Sequence, residues 1–455
     1  MQFESRNPAT GQLLQLVNGT VGGELETRLD HAQRAFPLWS SLKVAQRAER
    51  LRQLKQVITS HREQVAKLIT LEMGKLAREA LAEVDKCALL CDYYLENSEA
   101  YLHPETIVSD AARSYLLYQP LGTVLAIMPW NFPLWQVMRC AIPAVTSGNV
   151  CLLKHAANVP QLALYIERIF SEAGYAPGVF TTLLIPSAQV AEIIRDRRVH
   201  AVSFTGSEAA GRQVAACAGA ALKKCVLELG GSDPFVVLDD ADLTAAAQTA
   251  ITSRFLNCGQ SCIAAKRFII QTGIADEFTA RLQSALEQLQ TGDPLLDATS
   301  LAPMARSDLR AQLHTQVQSS ISQGAIALLG ARLPEAAGYF YPATLLDQVN
   351  TANTAARQEL FGPVLALMRA GSEAEALTLA NDTAYGLGAS VWTQDPDKAA
   401  YWSEQLQAGM VFINGLVKSD PRLPFGGIKN SGYGRELSRY GQLEFVNIKT
   451  VWQNL

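Results

Sequence analysis

Val124-Leu125-Ala126-Ile127 is the first of five short apolar runs between Gly122 and Leu238, followed by Val150-Cys151-Leu152-Leu153, Val179 to Leu184, Ala201 to Phe204 and Cys225 to Leu229. Helix-like stretches separate them, one running through Val137 and another from Leu162 to Ala173. This alternation predicts a parallel sheet covered by helices, a doubly wound α/β unit. A second series starts near Pro234-Phe235-Val236-Val237-Leu238 and continues through a helix over 242–256, then Phe268-Ile269-Ile270, Val364-Leu365-Ala366-Leu367, Ala389-Ser390-Val391-Trp392 and Val411-Phe412-Ile413. It predicts a second α/β unit. Ahead of both, residues 27–73 and 77–100 are rich in Ala, Leu, Glu, Arg and Lys at helical spacing, with Pro37 the strong breaker, and read as a helical opening. No Gly/Ser linker and no internal repeat of 20 to 50 residues interrupts the chain.

Composition narrows the function classes. With 455 residues and 48% hydrophobic content, the chain can bury a large core and is long enough for two or three domains. Its 39 basic and 43 acidic residues give a formal charge of -4 without a basic block, so a nucleic-acid partner is not expected. No apolar run reaches the roughly 20 residues of a membrane span, and Met1-Gln2-Phe3-Glu4-Ser5-Arg6 lacks the basic and apolar regions of a signal peptide. A cytoplasmic protein without membrane contact is therefore expected. The eight cysteines form no CxxC pair and no dense framework, which reads as reduced thiols with neither disulfides nor a metal site.

Two stretches carry chemistry. In Asn257-Cys258-Gly259-Gln260-Ser261-Cys262, one cysteine follows a Gly-Gln turn and precedes the apolar run Ile263-Ala264-Ala265, so Cys262 is a candidate nucleophile. Thirty-four residues upstream, Leu227-Glu228-Leu229-Gly230-Gly231 sets a carboxylate between leucines, where desolvation raises its pKa toward the range of a general base. A thiol plus a poised carboxylate suggests acyl chemistry. No histidine stands in a recognisable dyad with Cys262, which argues against a papain-like hydrolase.

At these residues the sequence resembles the aldehyde dehydrogenase superfamily. Glu228 with Gly230 and Gly231 is similar to its Glu-Leu-Gly-Gly motif, and Gly259-Gln260-Ser261-Cys262 to its nucleophile loop. Pro129-Trp130-Asn131-Phe132-Pro133, Phe204-Thr205-Gly206-Ser207 and Glu359-Leu360-Phe361-Gly362-Pro363-Val364 resemble its oxyanion, cofactor and Glu-x-Phe-Gly-Pro segments. Asn7-Pro8-Ala9-Thr10-Gly11 and Pro424-Phe425-Gly426-Gly427 extend the match over nearly the whole chain. The resemblance implies an aldehyde dehydrogenase-like fold of two doubly wound domains with a small oligomerisation β-extension. It assigns residues 1–100 and 120–231, with 431–441 returning, to the cofactor domain and 232–430 to the catalytic domain. Residues 101–119 and 442–455 would be oligomerisation segments, the tail pairing with a neighbouring subunit in a homodimer or homotetramer.

It also implies roles. Cys262 is the nucleophile, Glu228 the base that activates water, and Asn131 an oxyanion donor together with the Cys262 backbone N–H. Trp130, Lys154, Gly206, Ser207, Glu359 and Phe361 are placed around a bound NAD or NADP. Family members often carry Lys-Pro-x-Glu where this chain reads Lys154-His155-Ala156-Ala157, and losing that glutamate weakens the exclusion of NADP. Arg139 matches an arginine that succinate-semialdehyde dehydrogenases use for the substrate's distal carboxylate. The second arginine of those enzymes is Leu256 here, leaving Ser419 or Arg422 as a replacement. The expected activity is oxidation of succinate semialdehyde, or a similar carboxylate-bearing semialdehyde, to the acid. The alternatives are a broad-specificity dehydrogenase for uncharged or amino aldehydes and, from another class, a non-catalytic binding or structural protein on the same fold. A coenzyme A-acylating enzyme fits less well, because such enzymes generally lack the base matched by Glu228.

Overall fold

The computed structural model describes residues 1–455. All five runs of the first series form strands. They build a six-stranded sheet in the order Gly432–Tyr433, Lys224–Glu228, Ala201–Thr205, Thr123–Met128, Val150–His155 and Phe180–Thr182. Every pairing is parallel except that of Gly432–Tyr433, which runs antiparallel beside Lys224–Glu228. All residues of Thr123–Met128, Val150–His155 and Ala201–Thr205 are buried. Helices cover both faces of such a sheet, so these strands read as continuous apolar runs instead of alternating ones.

The second series forms a seven-stranded sheet ordered Ile326–Leu329, Thr344–Asp347, Val364–Ala370, Arg267–Gln271, Pro234–Val237, Gly388–Trp392 and Met410–Ile413. Only the Ile326–Leu329 edge is antiparallel. That edge strand and Thr344–Asp347 were not expected from the sequence. Ile326–Leu329 is a short, half-exposed edge strand, and such strands carry little hydrophobic signal. Each sheet has its own core, one of 66 buried apolar residues and one of 45.

The helical opening is four helices, Gly23–Ser40, Val44–Ser60, Arg62–Met73 and Ala77–Tyr101. A hairpin of Gln2–Arg6 and Leu13–Asn18, unannounced by any strong alternation, precedes them. The tail strand expected at 449–453 spans Val446–Gln453. Within this chain it pairs antiparallel with Arg113–Pro120, which also pairs with Glu105–Thr106. This three-stranded sheet exposes Ile448 and Trp452, and the loop between Glu105–Thr106 and Arg113–Pro120 exposes Val108, each more than half accessible. No helix is long and apolar enough to cross a membrane.

Candidate active site

The loops at the carboxyl ends of the first sheet's strands meet the Cys262 loop of the second sheet, the position at which open parallel sheets bind ligands. A cleft of about 660 Å³ is lined there by Trp130, Asn131, Gly206, Ser207, Glu359, Phe361 and Cys262, among others. It shares Pro129, Trp130, Thr205, Gly206 and Arg306 with a second cavity of about 750 Å³ that contains Lys154 and Ala157. The two form one trough. Ser207 caps the helix Glu208–Ala220, accepting a 3.4 Å bond from the Ala210 N–H, and so points that helix's N-terminal dipole at the trough. Trp130 meets Phe361 edge to face, with ring centroids 5.9 Å apart. A Cβ on Gly230 would collide with the Glu359 carboxylate, and one on Gly206 would lie 2.6 Å from the Phe204 ring, so a side chain at either position would displace a group that lines the trough or backs it. An elongated dinucleotide fits these donors: a positive helix end, the buried Lys154 ammonium and an aromatic wall at the far end.

Cys262 is presented by an unusual turn. Asn257, Cys258 and Gly259 are consecutive left-handed residues with φ of 55°, 55° and 70°. For non-glycine residues that conformation costs about 1–3 kcal/mol each, so surrounding contacts must impose it. The Asn257 amide side chain donates to Asn131 O at 2.8 Å and to Gln260 O at 3.1 Å, and its backbone N–H donates to Glu79 at 3.1 Å. Buried Arg254 bonds Leu360 O at 2.8 Å as well as Gly259 O and Gly362 O, tying the turn to the Glu359–Pro363 segment. Buried Lys266 donates to Ser261 O at 2.9 Å and Cys262 O at 2.8 Å while facing the Glu359 carboxylate at 3.4 Å. Neither Arg254 nor Lys266 was singled out from the sequence, because their partners are carbonyls distant in the chain. Asn131 donates from Nδ2 to Gln260 O at 3.0 Å, which fixes its amide in the cleft beside Cys262.

Of the eight cysteines, Cys262 alone lines both the trough and a third cavity, of about 400 Å³. Burial pushes its thiol up to about 12, although Arg139 and Lys266 pull the other way. The thiol is therefore the resting form in the cofactor-free protein. Because alkylation follows the thiolate, its rate with iodoacetamide should rise about tenfold per pH unit from roughly pH 7 to 9 without levelling off. A plateau below pH 8 in that measurement would contradict this picture of the free enzyme.

Glu228 lies at the end of the strand Lys224–Glu228, is 2% exposed and lines none of these cavities. Its carboxyl is turned inward against Gly426, where a Cβ would stand 2.7 Å from Oε1. Burial, and next the neighbouring Glu436, push its pKa well above the ordinary value, with Arg139 and Arg435 opposing. Glu436, also buried, forms an ion pair with Arg139. The sequence reading placed Glu228 correctly on its strand but missed Glu436, which lies 208 positions away in the chain. To reach an acyl group on Cys262, the Glu228 side chain has to turn toward the cleft.

The third cavity lies beside Cys262 and is lined by Phe132, Trp135, Phe425, Arg139, Lys86 and Ser419, among others. Two sequence expectations change here. Arg139 does reach the cavity, stacked 4.3 Å from the Phe425 ring centroid, but Glu436 already matches its charge. Arg422 does not line the cavity; its side chain is 78% exposed and pairs with Asp420 at 2.7 Å. Ser419 is buried in the cavity wall and accepts a 2.6 Å bond from Lys86 Nζ. Lys86 escaped the sequence reading because a lysine in an amphipathic helix carries no signal of its own.

The family profile described as "Aldehyde dehydrogenase family" matches residues 1–451. The chain is 49% identical over 452 residues to a probable NADP(+) succinate-semialdehyde dehydrogenase of Synechocystis sp., covering 99% of this chain and all of that one. It is 48% identical over 450 residues to an Escherichia coli NAD(P)+ succinate semialdehyde dehydrogenase, covering 99% and 97% of the two chains. Among solved structures, succinic semialdehyde dehydrogenase from Streptococcus pyogenes in complex with NADP+ superposes with a TM-score of 0.97 at 36% identity over the full length of both chains.

Proposed function

The chain belongs to the aldehyde dehydrogenase family, and from that premise we propose that it oxidises succinate semialdehyde to succinate with NADP or NAD as hydride acceptor. The observation that carries the substrate class is the cavity beside Cys262, whose aromatic wall of Phe132, Trp135 and Phe425 is interrupted by Arg139, Lys86 and Ser419. An apolar aldehyde gives the unpartnered Arg139 Nη2 and the remaining Lys86 N–H groups nothing to donate to, whereas a carboxylate accepts from such donors.

The Cys262 thiol first loses its proton to water; the thiolate sulfur then forms a C–S bond to the aldehyde carbon, and the carbonyl oxygen takes the negative charge. Asn131 Nδ2 and the Cys262 N–H are the donors proposed to receive that oxyanion. A nicotinamide held in the trough would supply the hydride acceptor, and loss of hydride from the Cys262 adduct would leave a thioester. Glu228 then turns toward the cleft and takes a proton from water, which attacks the thioester. The C–S bond breaks, the acid leaves and Cys262 is released as thiolate. Trp130, Gly206, Ser207, Glu359, Phe361 and Lys154 would hold the dinucleotide along the trough that they line.

Ala157 lies in the Lys154 cavity and offers no charge against a 2'-phosphate. Steady-state assays with succinate semialdehyde and butanal, each with NAD and NADP, should therefore show preference for the semialdehyde and ready use of NADP. Ala157→Glu should move the kcat/KM ratio toward NAD by roughly tenfold or more, the cost of placing like charges in contact. Equal use of butanal and succinate semialdehyde by the wild type would replace this reading with a broad-specificity dehydrogenase.

Residues 1–100 and 120–231 would form the cofactor domain and 232–430 the catalytic domain. The exposed Ile448 and Trp452 on the three-stranded sheet, with Val108 in the loop between two of its strands, suit an interface between copies of the chain. Eight free thiols suit a reducing compartment such as the cytoplasm.

A further inference from the structure

We propose that Lys266 is a positioning residue for the oxyanion: its ammonium gathers the carbonyls of the nucleophile loop, so that the Cys262 N–H is held and polarised as a donor. This rests on the Cys262 chemistry above and names the group that stands behind one of its donors.

Lys266 follows the nucleophile by four residues, immediately before the strand Arg267–Gln271, and its side chain is fully buried. Its own N–H donates to Asp233 O at 3.0 Å, which anchors its backbone to the segment ahead of the strand Pro234–Val237. The ammonium has three N–H groups, and three carbonyls lie within reach: Ser261 O at 2.9 Å, Cys262 O at 2.8 Å and Ala264 O at 3.1 Å. Its bonding is complete within the loop. The Glu359 carboxylate, 3.4 Å away, balances charge without needing a further N–H. Burial pushes the Lys266 pKa down, while Glu359 and Asp233 oppose that shift.

The consequence falls on the other edge of the same peptides. No peptide bond is cis, and in a planar trans peptide the C=O and the N–H point in opposite directions. The peptide that carries Ser261 O also carries the Cys262 N–H, and the one that carries Cys262 O also carries the Ile263 N–H. Both N–H groups therefore face away from Lys266, and neither donates to an acceptor within the protein. Buried side chains treat the rest of the loop alike: Arg254 donates to Gly259 O and Ala265 O, and Asn131 and Asn257 donate to Gln260 O. The turn is held by its carbonyls, which leaves N–H groups free next to a sulfur that lines the trough and the substrate cavity.

A charged donor on a carbonyl draws electron density along the amide and strengthens the N–H of that peptide as a donor, an effect that water does not screen in a buried loop. The oxyanion exists only once the C–S bond is forming, so the gain belongs to the transition state and not to substrate binding. Lys266 also helps to pull the Cys262 thiol downward, after Arg139. That second effect needs only its charge, whereas the first needs its bond to Ser261 O. The two are separable.

The test compares wild type with Lys266→Met, which removes charge and donors, and Lys266→Gln, which keeps an amide donor without the charge. The readouts are the first-turnover rate of cofactor reduction at saturating succinate semialdehyde and NADP, alkylation of Cys262 by iodoacetamide, which builds no oxyanion, NADP binding, and melting temperature. Lys266→Met should slow cofactor reduction by about 10- to 100-fold, a part of the roughly 10²- to 10³-fold that one oxyanion donor is worth. KM and the NADP Kd should stay within about threefold, and alkylation should slow by no more than about fivefold. Lys266→Gln should fall between wild type and Lys266→Met, and should Lys266→Met fail to fold, at least a fivefold or so slowing in Lys266→Gln decides. Equal slowing of reduction and alkylation assigns Lys266 to the thiolate, and a raised NADP Kd with an unchanged rate at saturation assigns it to Glu359. Unchanged rates leave it a packing role. Each of these three results overturns the proposal while the Cys262 chemistry stands; a wild type that reduces no cofactor with the semialdehyde overturns both.

Discussion

Replacing Cys262 by alanine is expected to abolish aldehyde oxidation, by more than about 10³-fold, the scale on which loss of a covalent nucleophile acts. The structure supplies the reason why no neighbour should take over. Cys258, four residues earlier, is 2% exposed and lines neither the trough nor the substrate cavity. Burial raises its thiol further still. The remaining cysteines belong to the interior or to other surfaces, with Cys217 on the wall of the Lys154 cavity. Cofactor reduction with succinate semialdehyde is the measurement, with cofactor binding to the variant as the control for an intact fold. Turnover above roughly a hundredth of wild type would move the nucleophile elsewhere.

Glu228→Gln should separate the two halves of the reaction. Thioester formation does not need a base on water, so the variant should release a burst of reduced cofactor equal to its active sites. Steady turnover should then fall by about 10²- to 10⁴-fold, the range of general-base catalysis. Rapid-mixing absorbance measurements read both phases. The buried position of Glu228 sharpens this expectation. Burial and Glu436 push its pKa upward, so the inward carboxyl is held toward its neutral form, which an amide of the same shape imitates. Turning toward the cleft carries the side chain away from Glu436 and from burial, the two influences that raise its pKa, and so toward a charged form able to accept a proton. If the burst disappears along with steady turnover, Glu228 acts before hydride transfer or serves only to position other groups.

Much of this protein is readable from local sequence. All five apolar runs of the first series and all five of the second became strands, because buried parallel strands advertise themselves as uninterrupted apolar stretches. The helices over 242–256 and after Gly206 were legible from spacing, and those at Glu208 and Leu243 carry Ser207 and Asp242 as side-chain caps. The nucleophile turn was legible as well, since Gly259 approaches Gly362 O too closely for any side chain. What escaped was short or half-exposed: the opening hairpin, and the edge strand Ile326–Leu329 beside Thr344–Asp347.

The identity of the reacting groups was thus set by the sequence, which names Cys262, Glu228 and Asn131 through the residues beside them. Their electrostatic condition was not. The upward pKa shift of inward Glu228 depends in part on Glu436, and that Arg139 is already paired depends on the same residue, which the chain returns to this place through the strand Gly432–Tyr433 beside Lys224–Glu228. Coulomb and desolvation energies depend on distance and burial in three dimensions, and spacing along the chain fixes neither.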